Sequence, residues 1–453
     1  MGVSLPVASL VSVVALVSAM ALACSSTEDP RPSSGNPDAG DRTPPFDAGR
    51  PTSLAPAPGD ILDTTLDIDL ATQHGVATLK LMPSSELQSF EVGDLEIQSI
   101  HVAGVPIEGT RRGAFLDLGL PASDAPVDVS VEYDWVTHNG ADGASIDGFS
   151  YLWPYWCGNA FPCRSAPAEG TTFHLAVRSP SSDTALYPTE IANDAPSYML
   201  AWSVAPYIRR SLGTTSAGTN VSVWHIPQTE SFADPELLVA AFDWMEQTIG
   251  PYRFGSDVGS VVAPWGGASG EGGIETHPYW QIGRADWDDE GTHLHEAAHG
   301  WFGNGVRLEC WEDFVLSEGT ASYLAARGLQ EAGEPAESFA LWQLYETVAR
   351  QPSVSDGTAW PTTRCQADIL DPNLGLFSRV PYVKGALFLR ALEGRIGRAA
   401  LDRGLHTFYE RWSGHAASFQ NLLDVFHETS GYDPGPCATT WLRQPGRPAD
   451  ECP

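Results

Sequence analysis

Residues 295–299 read His-Glu-Ala-Ala-His, a spacing that suits metal binding on a helix. Positions i and i+4 of a helix lie on one face, so the imidazoles of His295 and His299 can reach the same ion. Glu296 would project beside them, where its carboxylate can take a proton from a water that zinc has acidified. The motif therefore predicts a zinc site that activates water, with Glu296 as the general base.

A catalytic zinc ion takes three protein ligands and keeps one position open, so the two histidines need a partner. Glu318 can supply it, because this residue lies on a second predicted helix after eighteen intervening residues. A lone His-Glu-x-x-His could also be a surface helix with a polar face. Glu318 at this distance favours one zinc ion held by His295, His299 and Glu318.

Apolar residues recur with helical spacing in the part of the chain that carries these ligands. Helices are predicted from the Asp234-Pro235 pair to Ile249 and at 292–302, 318–332, 335–350, 382–396 and 399–412. From about 59 to 228, apolar and polar residues alternate instead with a period of two. The sequence therefore predicts an α+β multidomain fold, with an antiparallel β-rich domain at 59–228 and a mainly α-helical catalytic domain at 229–453.

The N-terminus carries an apolar run that ends in the letters ALAC, of which the last is Cys24. This string resembles a bacterial lipobox, although no Lys or Arg precedes the run and the leucine lies one place late. We expect residues 1–23 to be a signal peptide of the lipoprotein type, with a lipid on Cys24 that attaches the protein to a membrane. Ordinary signal cleavage and an uncleaved anchor remain alternatives.

Residues 24–58 are dominated by Pro, Gly, Ser, Asp and Ala, so this segment cannot bury a core and should be a disordered tether. We expect a protein exported from a bacterial cell and held at the outer membrane or cell surface, or otherwise periplasmic or secreted. Six further cysteines, an even number, indicate disulfides in an exported chain. Sequence proximity favours the pairs 157–163 and 437–452, which leaves 310–365.

The charge of the chain is strongly negative, with 25 Lys plus Arg against 57 Asp plus Glu and a formal net charge of −32. Such a surface repels phosphate backbones, which argues against nucleic acid as a partner.

The segment from His295 to Tyr323 looks like the zinc helix, Trp-Phe-Gly-Asn turn and Glu-Gly helix of the gluzincin aminopeptidases, the family of alanyl aminopeptidase N and leukotriene hydrolase. Further segments resemble that family's exopeptidase motif (GGIET at 272–276), its Tyr-x-Lys-Gly stretch (VPYVKG at 380–385) and its Phe-Pro-Cys stretch (161–163). The likeness covers about 59 to 448. It implies that the helical part is a thermolysin-like zinc peptidase domain.

The resemblance also implies roles for residues outside the zinc motif. Glu275 would bind the free α-amine of a peptide substrate, so that the enzyme removes N-terminal residues. Tyr382 would donate a hydrogen bond to the oxyanion that forms during cleavage, and so act as a catalytic residue. The backbone of Gly272 and Gly273 would line the substrate strand. The expected partners are peptides with a free N-terminus.

The chain departs from the family at several points. Ile274 replaces the usual Met and Thr276 the usual Asn, two changes that concern the side-chain preference of the first substrate pocket. We expect a shortened form of the family, without its large C-terminal helical domain, and therefore a more open site. Asp313 is expected to orient a ligand histidine or to have a surface or capping role, and His277, His293 and His415 are expected to be structural or surface residues. A zinc endopeptidase, a hydrolase of non-peptide substrates and a catalytically inactive surface binding protein are the alternative functions.

Overall fold

The computed structural model describes residues 60–83, 89–229, 236–265, 272–446 and 452 of the chain. The predicted signal peptide, the tether and the Asp234-Pro235 helix cap lie outside the described residues. No helix within the described ranges is both long enough and apolar enough to cross a bilayer.

Strands dominate the first half of the chain. They are β1 (Asp60–Asp69), β2 (His74–Met82), β3 (Ser89–Glu91), β4 (Glu96–Val102), β5 (Val105–Pro106), β6 (Thr110–Arg112), β7 (Phe115–Asp117), β8 (Val127–Asp134), β9 (Gly143–Ala144), β10 (Ser150–Tyr151), β11 (Thr171–Arg178), β12 (Thr184–Leu186), β13 (Glu190–Ala195), β14 (Ser203–Ala205), β15 (Ile208–Thr214) and β16 (Asn220–His225). Later strands are β17 (Asp257–Ala263), β18 (Gly273–Ile274), β19 (Tyr279–Gly283), β20 (Phe302–Gly303), β21 (Val306–Leu308) and β22 (Ala416–Ala417).

Helices dominate the second half, as the change of period predicts. They are α1 (Glu236–Thr248), α2 (Glu290–Ala298), α3 (Phe314–Glu331), α4 (Pro335–Ala349), α5 (Pro352–Ser355), α6 (Arg379–Ile396), α7 (Arg398–Trp412), α8 (Phe419–Ser430) and α9 (Gly435–Ala438). The fold class, a β-rich domain followed by a mainly helical one, is confirmed.

The main sheet of the N-terminal part has seven strands in the order β13-β11-β1-β2-β8-β4-β5. Alternate residues face the core, among them Ile68 of β1, Leu79 of β2 and Val131 of β8, all 0% exposed. The sheet is not purely antiparallel, because β1 and β11 run parallel, with Leu66 opposite Leu175. Parallel neighbours need a long crossover connection, and the strands between β1 and β11 provide it.

The second sheet crosses the domain boundary that we placed at 229. Its order is β15-β16-β17-β19-β18, and β16 pairs in parallel with β17, so that Val223 lies opposite Ser260. Strands β15 and β16, from Ile208 to His225, thus share a sheet with strands that follow residue 229. An alternating pattern predicts a strand but does not say which sheet the strand joins, and the boundary at 229 stays a prediction.

The two parts of the chain share one aromatic cluster around Trp311. The ring centroid of Trp311 lies 5.9 Å from those of Trp153 and Tyr155 and 5.8 Å from that of Tyr198. Arg307 also donates to the backbone oxygens of Ala168 and Asp194 across the same boundary. These contacts hold the β-rich part firmly against the helical part.

Three disulfides link the two cysteine pairs that sequence proximity favours and the pair that remains. They join Cys157 to Cys163, Cys310 to Cys365 and Cys437 to Cys452.

Helix α3 lies at the centre of the helical part, and sixteen of its eighteen residues are buried. It crosses α6 at a pair of glycines. A Cβ atom added to Gly385 would lie only 2.5 Å from the Cα of Gly319, and one added to Gly319 would lie 2.7 Å from the Cα of Gly385. The two helices can therefore approach this closely only because both residues lack side chains.

The contact between Gly319 and Gly385 predicts that a glycine-to-alanine change has opposite effects on stability at two positions of α6. Gly385→Ala should lower the free energy of unfolding by about 1–3 kcal/mol, because the added methyl overpacks the crossing. Gly394→Ala should raise it by about 0.5–1 kcal/mol, because a Cβ there meets nothing within 4 Å and alanine favours the helix. Urea denaturation of both variants measures the difference. Equal effects would show that the crossing is not tight.

Candidate metal centre

Helix α2 presents the predicted metal-binding motif from inside the core. Its N-cap residue, Asp289, accepts a hydrogen bond of 2.8 Å from the backbone N–H of Thr292. The regular helix ends at Ala298, but His299 keeps helical dihedral angles, with φ −61° and ψ −20°. His295 and His299 therefore still lie one turn apart on the same face.

Three predicted ligand atoms converge on one point. Nε2 of His295 lies 3.1 Å from Oε2 of Glu318, Nε2 of His299 lies 3.5 Å from the same oxygen, and the two Nε2 atoms are 3.2 Å apart. All three side chains are buried, at 3% exposure or less. Helix α3 supplies Glu318 from the facing side, as the spacing of the sequence predicts.

Hydrogen bonds to the other ring nitrogens orient both imidazoles. Nδ1 of His299 lies 3.1 Å from the backbone oxygen of Phe302, to which it can only donate. In the neutral ring, the form that binds a metal, this leaves the lone pair on Nε2 of His299, aimed at the convergence point. Nδ1 of His295 lies 3.4 Å from Oγ of Ser322, which fits the same tautomer. Two nitrogen lone pairs and a carboxylate oxygen facing one another are the donor set of a catalytic zinc ion.

The turn after α2 serves this geometry directly. Gly303 has a φ of +108°, and a Cβ there would lie 2.3 Å from Oγ of Ser317 and 2.9 Å from Nδ1 of His299. Asn304 donates a 2.6 Å hydrogen bond to the backbone oxygen of Glu275. The turn thus ties the zinc helix to the segment that carries the predicted amine-binding residue.

Burial of three carboxylates together makes the electrostatics of the site unusual. Burial raises the pKa of Glu296 well above its usual range and that of Glu275 to about 7, although His299 partly opposes both shifts. Burial acts on Glu318 in the same direction, but the charge of His299 and hydrogen bonds from both histidines outweigh it and bring its pKa to about 2. A divalent cation at the convergence point would stabilise the ionised form of all three. The residues therefore fit zinc.

Glu296 lies against the backbone of β18. A Cβ on Gly273 would lie 2.5 Å from Oε1 of Glu296, so only glycine fits beside this carboxylate. The backbone oxygen of Glu296 accepts a 3.0 Å hydrogen bond from Nε2 of His277. Nδ1 of His277 then accepts from the hydroxyl of Tyr252 at 2.8 Å, which gives this buried histidine the structural role that the sequence suggests.

Gly272 and Gly273 hold the short strand β18 at the edge of the second sheet. Gly272 has a φ of +81°, its backbone N–H donates to the carboxylate of Asp286, and its oxygen accepts from Gly283. Gly273 lies opposite Ile282 of β19. Both glycines therefore border the cleft, as the resemblance implies.

Tyr382 lies in the first turns of α6. Its ring stacks on the imidazole of His295, with centroids 5.7 Å apart and planes 17° apart.

Asp313 does not orient a metal ligand. Its carboxylate accepts hydrogen bonds from the backbone N–H of Phe419 at 2.9 Å and from the indole N–H of Trp360 at 3.2 Å. The structure thus assigns Asp313 a local structural role and not contact with a ligand histidine.

One cleft brings the predicted site residues together, and its space, which includes solvent at the open mouth, is about 470 Å³. Its lining residues are Tyr151, Trp153, Gly272, Gly273, Ile274, Glu275, His295, Glu296, His299, Glu318, Phe377 and Tyr382. Sequence reasoning missed Tyr151, Trp153 and Phe377. The aromatic letters YLWPYW at 151–156 were the available signal, but they belong to no motif that points to a site.

Comparison with known proteins shows which families and chains this sequence resembles. Residues 289–441 match the Peptidase family M1 domain. A leukotriene A-4 hydrolase homolog of Botryotinia fuckeliana is 24% identical over 86% of this chain and 68% of its own length. A leucyl aminopeptidase of Saccharolobus solfataricus is 28% identical over 34% of this chain, and the match spans only 20% of that protein.

Solved structures share the fold across most of the chain. A mutant M1 zinc metallopeptidase of Deinococcus radiodurans, bound to a Tyr-Ser-Ala substrate, aligns with a TM-score of 0.74 at 19% identity, covering 87% of this chain and 96% of that one. Yeast LTA4 hydrolase aligns with a TM-score of 0.70 at 19% identity, covering 90% of this chain and 71% of that one. Residues 289–441 are therefore similar to the peptidase family M1 domain, and the resemblance of the chain to the gluzincin zinc aminopeptidases is confirmed.

Proposed function

We propose that this protein is a zinc aminopeptidase that removes the first residue from peptides with a free N-terminus. The observation that carries the proposal is the position of Glu275, which lines the same cleft as the three metal ligands and is itself only 9% exposed. A buried carboxylate that the metal does not need is suited to binding a substrate ammonium. The M1 enzyme of Deinococcus radiodurans, which shares the fold, binds a peptide of three residues.

Each site residue then has a defined task. His295, His299 and Glu318 would hold zinc, which lowers the pKa of water to about 7 and polarises a peptide carbonyl. Glu296 takes the proton of the attacking water and returns it to the leaving amine. Tyr382 donates a hydrogen bond to the oxyanion and so stabilises mainly the transition state.

The amine-binding group is fixed by its neighbours. The backbone of Glu275 is held by Asn304, and strand β18 directly precedes it, so the distance between the bound amine and the metal is set by the fold. An enzyme built this way counts from the N-terminus of its substrate. A zinc endopeptidase would present no free α-amine to Glu275, and an inactive binding protein would have no use for Glu296.

The lining also supports a proposal about the first residue of the substrate. Within the described lining, the only carboxylates and imidazoles are the five groups that we assign to zinc, proton transfer and amine binding. The remaining side chains are aromatic or aliphatic, including Trp153, Phe377 and Ile274. A charged first side chain would lose its hydration without gaining a partner. We therefore propose a preference for large uncharged residues such as Phe, Tyr and Leu.

We further propose that the protein acts outside the cytoplasm, anchored through a lipid on Cys24. The three disulfides support an oxidising compartment.

A radioactive fatty acid tests the anchor. We expect it to label the mature N-terminus of the wild type and not to label Cys24→Ala.

Glu296→Gln should leave zinc content unchanged and lower kcat by about 10²–10⁴-fold, because the general base is lost while the metal ligands remain. Glu309→Gln, a change at an exposed carboxylate, is the matched control and should keep full activity. Metal analysis and a fluorogenic aminoacyl assay, with and without chelator, provide the measurements. A zinc-loaded wild type without peptidase activity would favour the inactive binding protein.

Acetylation of the substrate N-terminus tests the role of Glu275. Wild type should cleave a free peptide about 10–100-fold more efficiently than its acetylated form, because a charge-assisted hydrogen bond contributes about 1.5–3 kcal/mol. Glu275→Ala should lose this difference by slowing only the free peptide. Equal kcat/KM for both peptides in wild type would instead indicate an endopeptidase.

Phe377→Ala should lower kcat/KM for substrates that begin with Phe by about tenfold and affect substrates that begin with Ala much less, because the lost ring lines the cleft. Phe339 is 63% exposed, so Phe339→Ala is the control and should change neither. A panel of aminoacyl substrates measures the selectivity. Efficient cleavage after Lys or Asp in wild type would contradict the proposed preference.

A further inference from the structure

The sequence contains only two lysines, Lys80 and Lys384. Arginine supplies the other 23 of its 25 Lys and Arg side chains. Lys80 is exposed on β2. Lys384 lies on α6, two residues after Tyr382, and is only 2% exposed. A buried ammonium in a chain that otherwise uses guanidinium groups calls for a physical reason.

The reason lies in what the ammonium contacts. Nζ of Lys384 donates to three backbone oxygens, those of Gly357 at 2.6 Å, Ser355 at 2.9 Å and Gln444 at 3.3 Å. Burial lowers the pKa of Lys384 to about 8, so the group still carries three N–H donors at neutral pH. A compact ammonium with rotatable donors suits three converging carbonyls, whereas the planar fork of arginine does not.

The carbonyls belong to a preformed site that we call the carbonyl cradle, made of Ser355, Gly357 and Gln444. The backbone N–H of Gly446 donates to the oxygen of Ser355 at 2.6 Å, and the N–H of Ala359 donates to the oxygen of Leu442 at 2.8 Å. The disulfide between Cys437 and Cys452 closes this C-terminal segment into a loop. The cradle is therefore held together by bonds that do not involve the lysine.

The carbonyl cradle contacts one face of α6. Val380 and Lys384 are four residues apart, so they lie on the same face of the helix. Both contact the 355–357 loop, since a Cβ on Gly357 would lie 2.6 Å from Cγ2 of Val380. Tyr382, midway between them, lies on the opposite face, where its ring stacks on His295. A shift of the loop would therefore move Tyr382 relative to the metal ligands.

We propose that Lys384 is a positioning residue whose ammonium, held in the carbonyl cradle, fixes the first turns of α6 and so the place of Tyr382. The cradle is in addition a site for a monoalkylammonium ion, which it accepts when the lysine side chain is removed. The kinetic part of this proposal rests on the proposed peptidase function, whereas the binding part does not.

Removal of the side chain in Lys384→Ala, followed by addition of n-propylamine, tests the proposal. Propylammonium replaces the lost methylene groups and the charge. We expect kcat to fall by about 10–100-fold, because a small displacement of a group that acts on the transition state is costly, while KM changes by less than about threefold. Zinc content should match wild type. Propylammonium should restore much of kcat and raise the melting temperature of this variant.

Matched variants make the outcome decisive. Lys80→Ala, the same change at the other lysine, should keep wild-type kinetics and show no thermal response to the amine. Lys384→Met keeps the apolar stem, should lose kcat like Lys384→Ala, and should not be rescued because its side chain fills the space. Wild-type kcat in either Lys384 variant, an effect on KM alone, or no response of Lys384→Ala to propylammonium would overturn the proposal.

If both Lys384 variants fail to fold or lose zinc, the lysine is structural and the proposal is wrong. If the zinc-loaded wild type hydrolyses no peptide, the proposed function fails. The thermal response of Lys384→Ala to propylammonium then still decides whether the carbonyl cradle is a cation site.

Discussion

The burial of Glu275, Glu296 and Glu318 in one cleft is the constraint on which the rest of the structure depends. Three neighbouring carboxylates repel one another, and removal from water makes each ionised form more costly. The charge of His299 and hydrogen bonds from both imidazoles to Glu318 offset part of this cost. In their neutral forms, the same two rings direct lone pairs at one point. The protein groups alone therefore leave part of the electrostatic cost of the three carboxylates unbalanced, and a divalent cation would balance it. This need explains why so much of the fold holds the ligand atoms in place.

Close backbone contacts set the precision of the site. Gly273 lets the main chain approach Glu296, Gly303 lets the turn after α2 approach His299, and the contact of Gly319 with Gly385 brings the helix of Tyr382 against the helix of Glu318. Each contact involves an atom that a methyl group would displace. Catalytic geometry is sensitive to displacements of about 1 Å, so these glycines act on function through packing.

The β-rich part contributes to the cleft as well as to the fold. Trp153 lines the cleft and packs on Phe377 with ring centroids 4.8 Å apart, while its neighbours Trp311 and Phe314 belong to the helical part. The aromatic wall of the cleft is thus assembled from both parts of the chain. A change in the β-rich part can alter selectivity without touching any metal ligand.

The sequence indicated the candidate metal ligands because their spacing follows local rules. His295 and His299 lie one helical turn apart, and Glu318 lies on the next long helix. The sequence did not predict which sheet β15 and β16 join, because their alternating pattern would be the same in either sheet. Trp153 and Phe377 were missed because an aromatic residue that lines a cleft cannot be distinguished by sequence from one that fills a core. Lys384 was visible within a motif, but its three carbonyl partners come from distant segments that only the fold brings together.

The position of β1 has a mechanical consequence. This strand is the first described element, yet it lies inside the seven-stranded sheet, bonded to β11 on one side and β2 on the other. A load applied to the chain ahead of Asp60 would act along the strand and nearly perpendicular to its hydrogen bonds, so many bonds would have to break at once. The fold thus resists pulling from its N-terminal side in shear, where an edge strand would peel away one bond at a time.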